Sequence, residues 1–297
     1  MELYIFLTVL IKVLLYIGCF FTIGTISYRY CFQSQLITNK LHFGSNNTKL
    51  AIRLFASIGL LASGLLFAIK LQNLSGSFTG LFDIELISLL WQTSTGDAFL
   101  YRIIGFGAIL FCCIFLWDST SKISLILLLL ASLFVLKSFS SVGHIHSLDS
   151  LLAQFLLLLH LLGLSLWIGI LIPLYQLTRN AKSLEQTIEC AVVFGHWAIR
   201  FVPVLLGAGV WLAYLLLGSW SALFSSRFGQ LLLLKIGFVS LLLIFAALNK
   251  FFYVKKIREG QPEFIRHFHL SIKLELMLVG IIFYGSAMLT SAVSLPQ

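Results

Sequence analysis

Charged residues are scarce in this sequence: Asp, Glu, Lys and Arg make up 10% of its 297 residues, against about 25% in a soluble domain. So few cannot cover a water-facing surface, which excludes a soluble globular fold and any separate soluble domain. Cysteine occurs five times, at Cys19, Cys31, Cys112, Cys113 and Cys190, without a CxxC pair, and a disulfide framework is not expected. Cys112 and Cys113 are neighbours on a helix, where successive side chains point about 100° apart, so they do not chelate one ion together. A glycine-rich phosphate loop, HExxH and a nucleophile elbow are all missing. The sequence signs of ATP-driven pumping and of hydrolytic catalysis are therefore lacking, as are the basic tail and aromatic-basic platform that nucleic acid would call for.

What the sequence holds instead is one apolar run after another. Apolar residues make up 59% of the chain, and a helix rising about 1.5 Å per residue needs about twenty of them to cross about 30 Å of hydrocarbon. The runs predict an all-α, polytopic membrane protein of about eight transmembrane helices, over 4–26, 50–69, 99–117, 123–136, 151–172, 200–217, 230–253 and 270–292. The fourth is short. The stretch 81–90 is apolar but too brief to span, and is expected in the interface or capping a cavity. The first run opens with Glu2 and lacks both a basic leader and a small-residue cleavage site, so it reads as a retained helix.

Lys and Arg divide unevenly between the two ends of these helices. Fourteen gather on one side, among them Arg29, Lys49, Arg179, Lys182, Lys255 and Arg266; five lie on the other, Lys70, Arg102, Lys137, Arg227 and Lys235. The positive-inside bias then places both termini away from the cytoplasm. That bias and anionic membrane lipid account for the net charge of +9 without a nucleic-acid partner.

The chain also resembles itself. Ala51-Ile52-Arg53 and Ala198-Ile199-Arg200 open the second and sixth runs; Gly96 precedes Arg102, and Gly229 precedes Lys235, by the same six residues; Ile23-Gly24 in the first run matches Ile168-Gly169 in the fifth. These anchors predict two four-helix units, 1–140 and 141–297. An even helix number per unit makes them parallel repeats. His160 aligns with Leu15, so only the second unit carries the imidazole.

His160 stands about nine residues into the fifth run, about 14 Å below the outer surface, where a polar side chain is expensive and functional more often than not. In HLLGLSLWIG, Gly163 and Ser165 permit close helix packing, and Trp167 follows two turns later on the face of His160. Before that helix, Gly143-His144-Ile145-His146 offers two imidazoles which, if the segment is extended, point the same way and could converge on one ion. Imidazole suits copper, zinc, iron and nickel alike. Met288, near the outer end of the last run, supplies a thioether that favours Cu(I), although packing is the plainer role. His42, His196, His267 and His269 are expected in loops on the cytoplasmic side.

In order and spacing these features resemble the copper-resistance protein D (CopD) family of bacterial inner-membrane proteins. The resemblance is densest over 141–250: Gly143-His144, His160 to Gly169 with Pro173 following, Gly209, Leu217-Gly218-Ser219, Gly229 with LLLLK ending at Lys235, and Asn249-Lys250. Phe194-Gly195-His196 departs from the family, which has a basic residue, Phe and Ser there. The resemblance implies copper capture at the periplasmic face, passage of the copper ion across the inner membrane, and partnership with a small periplasmic copper-binding protein of the CopC type. His144 and His160 are the residues it implicates; His146 is added on local geometry. Two other readings stay open: a haem b-binding oxidoreductase resembling the membrane protoporphyrinogen oxidases, which would need a second axial histidine at the depth of His160, and a non-catalytic docking platform.

Overall fold

Three helices begin at a hydroxyl cap. Thr93, Ser150 and Ser226 each accept a hydrogen bond from a backbone N–H two or three residues on (3.2, 3.3 and 2.9 Å) and so cap the helices that follow them. In the computed structural model, which describes residues 2–32, 45–117, 122–179 and 184–293, every regular element is helical: α1 Glu2–Ser27, α2 Ser45–Ser75, α3 Ile84–Trp91, α4 Ser94–Phe115, α5 Lys122–Lys137, α6 His144–Ser147, α7 Leu151–Thr178, α8 Leu184–Leu217, α9 Ala222–Ser225, α10 Arg227–Leu248, α11 Val254–Arg258 and α12 Phe264–Leu289. Single π-helical stretches extend α1 (Tyr28–Phe32) and α10 (Asn249–Tyr253).

Seven of these helices are long and apolar enough to cross a bilayer; α5 is apolar but shorter. All eight predicted runs are helices, and the chain is an all-α, polytopic membrane protein. Their bounds differ from expectation where charged or polar residues fall inside a helix. α8 starts at Leu184, sixteen residues before 200, and carries Glu185, Glu189 and His196 within it. α12 starts at Phe264 and takes in His267 and His269. These three histidines are therefore helical and not in loops; His42 lies outside the described residues. The stretch 81–90 becomes a 3₁₀ turn, Phe78–Phe82, and α3, whose first N–H groups are held by Asp83 Oδ1 (3.0 Å to Glu85, 3.1 Å to Leu86). Leu90 packs there with Phe67 and Leu71 of α2 and Phe99 of α4, while Phe78, Phe82 and Ile84 are 73 to 84% exposed, as suits a segment lying at a membrane surface.

α1 is the centre of the bundle and packs on α2, α7, α12 and α5. Two glycine crossings allow this. A Cβ on Gly18 would meet the Gly59 backbone of α2, and one on Gly24 would lie 2.6 Å from the Gly169 Cα of α7. Small residues at such crossings bring helices close enough for dispersion to hold them where lipid gives no hydrophobic drive. Lys12 Nζ donates to the Thr290 carbonyl (2.9 Å) and Tyr4 Oη to that of Ile69 (2.7 Å). The start of α1, the end of α2 and the end of α12 thus share one end of the bundle, called the upper end below.

Adjacent helices pack in matching pairs: α1 on α2 as α7 on α8, and α4 on α5 as α10 on α12. The correspondence breaks at one point. α2 packs along α4, but α8 packs on the π-helical stretch 249–253 and on α11 in place of packing along α10. Between α5 and α7, a cleft of about 260 Å³ opens near the upper end, lined by Leu133, Leu136, Phe155 and Leu158 together with Lys137 and Gln154, whose side chains are hydrogen-bonded to each other.

Candidate functional site

The arrangement around His160 begins with a glycine. α7 and α8 cross closely at Gly163, where a Cβ would sit 3.0 Å from that of Leu205. One turn beyond Leu205 on α8, a Cβ at Gly209 would be 2.9 Å from His160 Cε1 and 3.0 Å from Nδ1. The missing side chain is the space the imidazole occupies. There its Nδ1 lies 2.9 Å from the Leu205 carbonyl oxygen. A carbonyl can only accept, so Nδ1 carries a proton, and in the neutral imidazole Nε2 keeps its lone pair. This is the orientation a metal-ligating histidine adopts when a backbone carbonyl holds its other nitrogen. The Lys235 side chain of α10 lies within electrostatic reach of the ring.

His144 and His146 belong to a helical turn, α6, and not to an extended segment. Two residues apart on a helix, their side chains diverge by about 200°, so the expected convergence on one ion does not occur. His144 turns inward: its Nε2 donates to the Leu289 carbonyl at the end of α12 (3.3 Å), and its ring meets Phe228 of α10 edge-on at 5.6 Å. His146 is exposed. Met288, half-buried, precedes Leu289 directly and packs on the main core. His144, His146 and Met288 thus gather at the upper end, and His160 lies about 14 Å deeper along α7. Among the described residues no three His, Cys, Asp or Glu side chains come together as a metal cage.

A second polar group lies deeper still. Trp167 is buried edge-on against Phe194 and Phe201 of α8 (6.5 Å each), and its Nε1–H donates to Glu275 Oε2 of α12 at 3.4 Å. Glu275 Oε1 accepts from Asn249 Nδ2, on the first residue of the π-helical stretch. The next residue, Lys250, turns away and donates to the Gly195 carbonyl of α8 (2.8 Å). Glu275 went unnoticed in the sequence because a helix beginning at 270 places it close to the membrane surface. With α12 starting at Phe264 it sits midway along the helix. The usable signal was the rule that an ionisable residue inside a span marks function by default.

The remaining histidines stand apart from His160. His269 shares a hydrogen bond with Thr178 Oγ1 (2.8 Å) and stacks on Tyr175, while His267 stacks on Tyr253. His196 is nine residues of α8 from Leu205, about 14 Å along the axis. No second imidazole at the depth of His160 occurs among the described residues, so the two-histidine clamp of a haem b site is not formed.

Fold and site together define a polytopic α-helical membrane protein with donor groups inside the bundle at two depths. The family is settled by comparison. Residues 2–151 match the family model described as "Copper resistance protein D-like, N-terminal domain", and residues 188–289 match "Copper resistance protein D"; the chain belongs to the copper resistance protein D family. The match over 2–151 extends a resemblance that the sequence motifs had concentrated in the second half. A stretch of 105 residues, 34% of this chain, is 30% identical to "Copper transport protein CutJ" of Bacillus subtilis (strain 168) and spans 19% of that protein's length. No solved structure matches the chain.

Proposed function

We propose that this protein handles copper in the bacterial inner membrane, capturing the ion on the periplasmic side at the upper end of the bundle and passing it inward by way of His160. The observation that carries this reading is the contact between His160 Nδ1 and the Leu205 carbonyl oxygen, which in the neutral ring leaves Nε2 as a lone-pair donor inside a span. The family, and the copper transport named for CutJ, support copper as the cargo. His146 is the exposed first contact, and His144 and the Met288 thioether stand at the mouth. A positive charge on Lys235, within electrostatic reach of the ring, would oppose a divalent ion more than a monovalent one and so favour Cu(I) at His160.

The basic residues gathered at the end opposite the upper one support a periplasmic location for both termini. The exposed face around His146 is where a CopC-type carrier would deliver copper. The Gly24–Gly169 crossing, at which residues of matching sequence position meet, supports two parallel units, 1–140 and 141–297. None of these residues is assigned a catalytic role.

The test is cellular. His160→Ala, expressed at the level of the wild type, lowers whole-cell copper content or alters copper tolerance severalfold. Copper content and tolerance indistinguishable from wild type would overturn the proposal.

A further inference from the structure

Glu275 is the only buried acidic side chain among the described residues, at 2% exposure. Trp167 Nε1 and Asn249 Nδ2 donate to its two oxygens, yet among the described residues no basic side chain forms an ion pair with it. Burying a lone charge is costly even with good hydrogen bonds, so a positive charge has to accompany this carboxylate. Two buried oxygens beside it have no partner: Asn249 Oδ1, carried by the same amide that donates to Glu275, and Ser271 Oγ, one turn earlier on α12. A metal cation would need oxygens on most sides, whereas two N–H groups already point at the carboxylate. A proton fits better, because a protonated Glu275 gains an O–H and Asn249 Oδ1 is an idle acceptor next to it.

We propose that Glu275, positioned by Trp167 and Asn249, is an exchangeable proton site, loaded and unloaded as cargo passes His160. The coupling to cargo rests on the copper reading; the proton site itself does not. On loading, hydronium transfers its proton to a Glu275 oxygen and leaves as water. On unloading, the carboxyl O–H breaks, its electron pair stays on the carboxylate and water takes the proton.

Several other ionisable groups on the packed helices have partners of their own. Lys250 is bonded to the Gly195 carbonyl, His269 to Thr178, and Lys255 and Lys256 face Glu259. Tyr28, in the π-helical extension of α1, and Cys190 of α8 face one another, Arg102 donates to Ser138, and Lys273 is exposed.

The experiment is an infrared pH titration of the full chain in lipid vesicles. Wild type is expected to show a carbonyl band of a protonated carboxyl that appears and disappears reversibly with pH, absent from Glu275→Gln and retained in His160→Ala. Glu275→Asp, which keeps a carboxyl, shifts the band, and guards against loss of fold in the Gln variant. A wild-type band that does not respond to pH, or that persists in Glu275→Gln, overturns the proton site. Vesicles loaded with copper then test coupling: an imposed pH gradient drives copper movement in wild type and not in Glu275→Gln. Movement driven by a sodium gradient, or indifferent to pH in wild type, overturns coupling. If no copper moves under any gradient, the copper reading fails while the titration still decides the proton site.

Discussion

At the scale of single residues, the side chain that matters most is the one Gly209 lacks. Gly209→Ala puts a methyl group within 3.0 Å of the His160 ring, so the imidazole must leave the Leu205 carbonyl. Overpacking of this kind costs about 1–3 kcal/mol. A lowered melting temperature in detergent, together with copper handling as poor as that of His160→Ala, is expected from thermal unfolding and copper content measured side by side. His160 was legible in the sequence because an imidazole in the middle of an apolar run stands out. Its partner was not, since a carbonyl has no letter of its own; Gly209 stood out as a resemblance feature, but nothing in the sequence says that it faces His160. Glu275 was hidden for a different reason: its meaning depends on where α12 begins, and the basic and aromatic residues at 264–269 look like a loop until they pack against Thr178, Tyr175 and Tyr253.

At the scale of elements, periodic apolar runs announced every spanning helix, while their ends were set by contacts the runs do not encode. α8 continues upstream of Arg200 because Gly195 receives Lys250 and because Phe194 and Trp197 pack against Phe32 (6.0 and 5.7 Å). The HxH segment became a helical turn once His144 found the Leu289 carbonyl. Local capping is testable at α3. Asp83→Ala removes the acceptor for two N–H groups and should cost about 1 kcal/mol of local stability, seen as faster amide hydrogen exchange at Glu85 and Leu86 with the rest of the chain unchanged. The α1–α7 crossing is less forgiving. Gly24→Leu cannot be accommodated against the Gly169 backbone, and a fall in the yield of folded protein on size-exclusion chromatography is expected where Gly64→Leu, at an open position, has little effect.

For the whole molecule, the alternation of helices returns the chain to the end from which it started, with Lys12 of α1 bonded to the Thr290 carbonyl. Single cysteines placed at Leu3 and Ala292, in a chain from which the five native cysteines have been removed, should react with a membrane-impermeant thiol reagent from the same side. Labelling of the two from opposite sides would refute this arrangement. The short fourth run has a consequence of its own. α5 has sixteen residues, about 24 Å at the helical rise, against a hydrocarbon slab of about 30 Å. A bilayer meets such a shortfall by thinning or by letting headgroups and water sink toward the buried end, at a fraction of a kcal/mol per Å. The cleft at Lys137 and Gln154 lies at the end of α5 where that dip would form, so acyl-chain length is expected to act on the bundle there, at the shortest of its eight apolar runs.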